Sequence, residues 1–103
     1  MEQTERITQM EAILDRGEAV LSALNGALEQ YRALAPELDR LAEYYSSAAW
    51  REDFEADEAG LLPADLRRGV LSEDGIWNLL ADRDGVLCRM RALCRDLPED
   101  AQE

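Results

Sequence analysis

The chain has 103 residues, 47% of them hydrophobic, and a formal net charge of −12. That length suits a single domain that buries roughly two-thirds of its unfolded surface, and the apolar content with only three prolines excludes a disordered tail. Twenty-three acidic residues against 11 basic ones repel phosphate backbones and anionic bilayers, which argues against direct nucleic-acid or membrane binding.

All 11 basic residues are arginines, and the chain has no lysine or histidine. This removes imidazole bases, histidine metal ligands, lysine Schiff bases and the lysine of a phosphate-binding loop. Catalysis would have to rest on carboxylates, tyrosines, arginines or thiols, so the composition favours a non-enzymatic role. Cys88 and Cys94 lie six residues apart on a predicted helix, about 120° apart around its axis and ~9 Å along it, too far to bond to each other. Without further ligands they make no zinc site, and they read as reduced thiols. The opening Met-Glu-Gln-Thr-Glu-Arg lacks the basic-then-apolar order of a secretory signal, and no apolar run approaches the ~20 residues that span a bilayer. A cytoplasmic protein is expected.

In chain order, Ile7, Met10, Leu14, Leu21, Leu24, Leu28 and Tyr31 recur at heptad spacing, with Gly17 in the slot between Leu14 and Leu21. Ile13, Val20 and Leu34 widen the stripe, as suits a helix packed in a bundle. The first helix is predicted over 4–34, stopped by Pro36, which then begins a second helix after a tight corner. That helix turns Leu38, Leu41, Tyr44, Tyr45 and Ala48 inward and Arg40 and Glu43 outward. It breaks at Ser46-Ser47, where either hydroxyl can cap a fresh start. Trp50 and Phe54 anchor the next segment, and Gly60 ends it in a left-handed turn. Residues 61–69 form a connector with one short helical turn beginning at Pro63.

The last helix is capped by Ser72, with Glu73 and Asp74 at its positive end and Leu71 stapled against Ile76. Its stripe runs through Ile76, Leu80, Leu87, Met90, Leu93 and Leu97, with Trp77, Leu79, Val86 and Cys94 beside it. A bend is expected near Asp82 to Gly85 and a stop at Pro98, followed by an acidic tail over 98–103. The reading is an all-α, small antiparallel helical bundle: a long N-terminal helix, a helix-loop middle segment and a long C-terminal helix, ordered over 4–97. The later helices offer enough apolar surface to cover the first helix, so intramolecular packing is expected ahead of a homodimer.

Glu52, Asp53, Glu55, Asp57 and Glu58 place five carboxylates in seven residues. Helical neighbours of like charge destabilise by a few tenths of a kcal/mol per pair, roughly the scale on which one opposite charge compensates. The simplest explanation is solvation, an Arg51–Glu55 pair and Arg67 and Arg68 folding back. A protein partner with a basic surface is the next reading, and a divalent cation held by Asp53, Glu55, Asp57 and Glu58 the third. Asp53, Glu55 and Asp57 fit positions 1, 3 and 5 of a calcium loop, but Glu58 replaces its glycine and Ala64 its bidentate glutamate. A metal here would be a hard ion such as Mg²⁺ or Mn²⁺. A paired-carboxylate acid/base site has no recognisable substrate pocket to serve.

Tyr44, Tyr45 and Trp50 precede the acids. Such aromatics usually pack in a core, and the functional alternative is an anchor for a partner. Arg67 and Arg68 serve either as counter-charge to the acids, the favoured reading, or as an anion contact.

The run Tyr44-Tyr45-Ser46-Ser47, then Trp50, Asp53, Glu55, Asp57-Glu58, Gly60, Pro63, Leu66 and Arg68-Gly69-Val70-Leu71-Ser72-Glu73-Asp74, resembles the bacterial domain of unknown function family 4298. Arg6-Ile7 and Met10-Glu11 fit that family's opening. The family pattern often has lysine where Arg67 stands and tyrosine where Trp77 stands. The resemblance implies a helical, bacterial, cytoplasmic protein and brings no catalytic residue, cofactor or partner. Taken together, the expected function is a protein-protein interaction module with an acidic and aromatic face over 44–74. A metal-binding or enzymatic domain built on the 52–58 carboxylates is one alternative, and an acidic mimic of nucleic acid that inhibits a basic protein is another.

Overall fold

The computed structural model describes residues 2–97; the acidic tail and the Pro98 stop lie outside them. The described residues are all-α, with helices α1 (Gln3–Tyr45), α2 (Ala48–Glu58) and α3 (Gly75–Arg95), and a 3₁₀ turn at Gly69–Leu71. The chain divides into two compact units, Met1–Glu37 and Leu38–Glu103.

The corner expected at Pro36 does not form: α1 continues through it to Tyr45. Proline forfeits the bond to the Arg32 carbonyl, but that residue is exposed and water can satisfy the oxygen. Proline's fixed φ is itself helical, and Arg32, Ala33, Leu34, Glu37 and Leu38 are good helix formers on either side. Within Met1–Glu37, the nine large non-aromatic apolar residues of the stripe from Ile7 to Leu34 are exposed, between 38% and 65%, and Tyr31 is half-buried. Among the described residues of that unit α1 is the one helix, so nothing within the unit covers the stripe.

The core lies in the second unit, where Leu38 near the end of α1, Leu71 in the 3₁₀ turn and Ile76 at the start of α3 are buried. Leu41, Tyr44 and Tyr45 are half-buried as expected, Arg40 and Glu43 face solvent, and Ala48 is exposed rather than inward. The 3₁₀ turn packs against both α2 and α3, so it is the piece that joins them.

Ser47 caps α2: its backbone is extended, and its hydroxyl accepts from the Trp50 amide at 3.3 Å while donating to the Tyr44 carbonyl at 2.6 Å. Ser46 instead donates back to the Ala42 carbonyl. The other end closes as expected. Gly60 adopts φ +72, its amide bonds to the Asp57 carbonyl, and the Leu61 amide reaches the Ala56 carbonyl, the paired bonds of a Schellman ending.

In the connector, Pro63 begins a turn closed by the Leu66 amide, and the helical turn sits later, at Gly69–Leu71. The last helix starts three residues beyond Ser72. Its N-cap is therefore Asp74, without a side-chain cap bond, and not Ser72 as expected; the Ser72 hydroxyl instead accepts from the Gly75 amide at 3.0 Å and donates to the Gly69 carbonyl at 2.8 Å. α3 runs unbroken through Arg83 and Gly85. Arg83, half-buried, reaches Asp84 at 3.3 Å and Asp39 at 3.9 Å. Of the predicted α3 stripe, Ile76, Leu80, Leu87 and Met90 are at least half-buried, whereas Leu93 and Leu97 are exposed.

Candidate acidic and aromatic face

All ten sequence-selected residues lie in the second unit. The helical period of α2 divides its five carboxylates by chemistry. Asp53 and Asp57 fall on the arc that also carries Trp50 and Phe54, while Glu52, Glu55 and Glu58 fall on the opposite arc with Arg51. Both aspartates are engaged by the second unit's own donors. The three glutamates are exposed.

Asp53 accepts from the Tyr44 hydroxyl at 2.6 Å. Loss of solvent around the phenol, then the bond to Asp53 and that carboxylate's charge, push the Tyr44 pKa up from 10.0 to about 12. Asp57 pairs with Arg68, whose guanidinium also donates to the Pro63 and Leu66 carbonyls and so ties the connector to α2. Arg68 is thus the internal counter-charge that was expected. Arg67 is exposed and makes no ion pair among the described residues; it lines a shallow cleft of about 300 Å³ with Tyr44, Asp53, Leu62 and Leu66. The expected Arg51–Glu55 pair is likewise not formed among the described residues.

Trp50 is the centre of the aromatic group. Its ring stacks on Phe54 with centroids 5.2 Å apart, meets Tyr45 edge-on at 5.2 Å, and its indole N–H donates to the Val70 carbonyl at 2.8 Å. Tyr45 adds a long 3.5 Å contact from its hydroxyl to the Glu73 carbonyl. Tyr44, Tyr45 and Trp50 are half-buried and hydrogen-bonded within the unit: Tyr44 ties the end of α1 to α2, and Trp50 docks α2 onto the 3₁₀ turn. Trp77 is 60% exposed and takes no part. Sequence reasoning did not anticipate the carbonyls of Pro63, Leu66 and Val70 as acceptors, since backbone oxygens carry no residue-type signal. The i,i+4 spacing of Trp50 and Phe54 did foreshadow their stacking.

Among the described residues, no three of the carboxylates and thiols converge as metal ligands. The calcium-loop numbering of Asp53, Glu55 and Asp57 fails for a further reason: they stand on a regular helix, which spreads them around its axis. Cys88 and Cys94 are free and exposed. Among the described residues, no helix is long and apolar enough to cross a membrane.

The model of the family described as Domain of unknown function (DUF4298) matches residues 7–93. The chain belongs to that family. The matched segment takes in most of α1, all of α2 and the 3₁₀ turn, and nearly all of α3, so the Trp50 and Arg68 networks lie wholly inside this DUF4298 member's family region. No curated protein and no solved structure matches the chain significantly.

Proposed function

We propose that this DUF4298 protein is an interaction module that presents the glutamate arc of α2 to a protein partner with a basic surface. One observation carries the reading: Asp53 and Asp57 are consumed by internal bonds, whereas Glu52, Glu55 and Glu58 stand exposed on one face. Stability of the unit accounts for the aspartates. It does not account for three outward carboxylates within two turns, which repel one another. A complementary basic face would relieve that repulsion and steer association. In this reading Tyr44, Tyr45, Trp50 and Arg68 set the position of α2 and do not touch the partner, and exposed Arg67, which lines the cleft on the aspartate side, lies off the face. The non-enzymatic role and cytoplasmic setting belong to the same proposal.

The test is a partner captured from the host, purified, and titrated against wild type and the triple variant Glu52→Gln, Glu55→Gln, Glu58→Gln. The variant keeps both aspartates and should melt like wild type. Removing three contributing charges is expected to weaken binding roughly tenfold or more, with affinity falling as salt rises. Unchanged, salt-insensitive binding by the triple variant would refute the reading. The divalent-cation alternative is addressed by the same protein: a melting midpoint unmoved by millimolar-range Mg²⁺ at fixed ionic strength, roughly where a weak site would saturate, argues against it.

A further inference from the structure

We propose that the first unit is a self-association device: the segment of α1 over residues 3–37 pairs with the same segment of a second copy as an antiparallel two-stranded coiled coil. The proposal is independent of the glutamate face on α2. Its starting point is the apolar stripe from Ile7 to Leu34, nine of whose large side chains nothing within the first unit covers. Monomeric proteins rarely leave contiguous apolar patches above a few hundred Å² in water. Nine half-exposed large side chains present roughly 800 Å² on each copy, about what each partner contributes to a stable interface.

The sequence chooses a second copy as occupant and sets its direction. Heptad positions facing a partner are Ile7, Leu14, Leu21, Leu28 and Ala35 on one row, and Met10, Gly17, Leu24 and Tyr31 on the other. In one antiparallel alignment, Leu21 of each copy meets Leu24 of the other at the centre. Moving outward, Leu28 meets Gly17, Tyr31 meets Leu14, and Ala35 meets Met10, so every small residue lies opposite a large one. Gly17 has room for this: a β-carbon built there meets nothing within 4 Å. A parallel pair would instead set Gly17 against Gly17, leaving a void at the seam.

Charge agrees with packing. Along the seam's flank, the antiparallel alignment brings Glu18 of each copy near Arg32 of the other, twice by symmetry. Arg32's present pairing with Glu29, at 3.4 Å with both side chains mostly exposed, is easily exchanged. In a parallel pair, Glu18 and Arg32 would flank Ile13 and Ala27, with no charge to meet.

The test is the solution mass of the full chain over a roughly hundredfold concentration range by light scattering. Twice the 11.6 kDa monomer is expected. Leu21→Glu with Leu24→Glu should return the monomer. Because that variant changes the helix's apolar face, a gentler pair guards the reasoning: Arg32→Glu should weaken the dimer roughly fivefold, and adding Glu18→Arg should restore it. Direction is read by redox-buffered crosslinking in a Cys88→Ser, Cys94→Ser background. Chains carrying Leu14→Cys should crosslink to chains carrying Tyr31→Cys and not to themselves. A monomer at every concentration, a dimer indifferent to the Leu21 and Leu24 changes, or self-crosslinking of the Leu14→Cys chain would each overturn the proposal. A monomer whose stripe amides and side chains are protected would assign the cover to the chain itself.

Discussion

Trp50→Phe tests whether one indole holds α2 onto the 3₁₀ turn. The substitution keeps a ring to stack on Phe54 and meet Tyr45, and removes the N–H that donates to the Val70 carbonyl at 2.8 Å. A neutral hydrogen bond contributes a net of about 1 kcal/mol. Val70 is exposed, so water can reach the freed carbonyl and the penalty stays near that value rather than the larger one of a buried orphan. Trp50 is half-buried, so the smaller ring, which lacks part of the indole's area, removes roughly another 1 kcal/mol of apolar contact. The total is about 2 kcal/mol, and for a domain of 60–100 residues each kcal/mol moves the melting midpoint by about 4–8 °C. A fall of roughly 10 °C is expected in melts followed by far-ultraviolet circular dichroism. Trp77→Phe alone is the control, since that residue is 60% exposed and should change stability by less than about 0.5 kcal/mol. A Trp50→Phe midpoint within about 3 °C of wild type would show that the indole bond and ring do not hold the unit together.

Asp57→Asn removes the charge that Arg68 meets at the connector, and a loss of about 1 kcal/mol, smaller in high salt, is expected from denaturant unfolding. Gly75→Ala and Gly85→Ala should have opposite signs. A β-carbon at Gly75 falls 2.5 Å from the Gly69 carbonyl oxygen and 2.7 Å from the Ser72 hydroxyl, whereas at Gly85 it meets nothing within 4 Å. Gly75→Ala is therefore expected to lower stability by about 1–3 kcal/mol and Gly85→Ala to raise it by about 0.5–1 kcal/mol, both read by thermal melts. The raised Tyr44 pKa gives a stabilisation that is complete below pH 10.0 and is lost as pH rises through about 12, because the unfolded phenol ionises first. Wild type should thus lose more stability than Tyr44→Phe across that window, and tyrosinate absorbance should show one late-titrating residue that the variant lacks.

Much of the second unit was legible residue by residue. The break at Ser46-Ser47, the cap, the left-handed Gly60 and the Arg68 counter-charge follow from local rules, because hydroxyls, glycine and ion pairs act over a few bonds or a few ångströms. The division of the acids was also implicit in the period of α2, although the sequence reading grouped Asp53 and Asp57 with the glutamates. Phase alone does not reveal that a phenol from α1 and a guanidinium from beyond the connector reach the two aspartates.

Pro36 is the instructive miss. Proline's local preference disfavours a helix interior, but a water-accessible carbonyl and strong helix formers on both sides let α1 pass through. By itself the sequence determined that the chain is helical, acidic and free of lysine and histidine, since composition and period are properties of the residues alone. Only the tertiary structure decided which carboxylates are satisfied and which aromatics dock rather than project. Those outcomes depend on groups distant in sequence arriving, or failing to arrive, within contact distance.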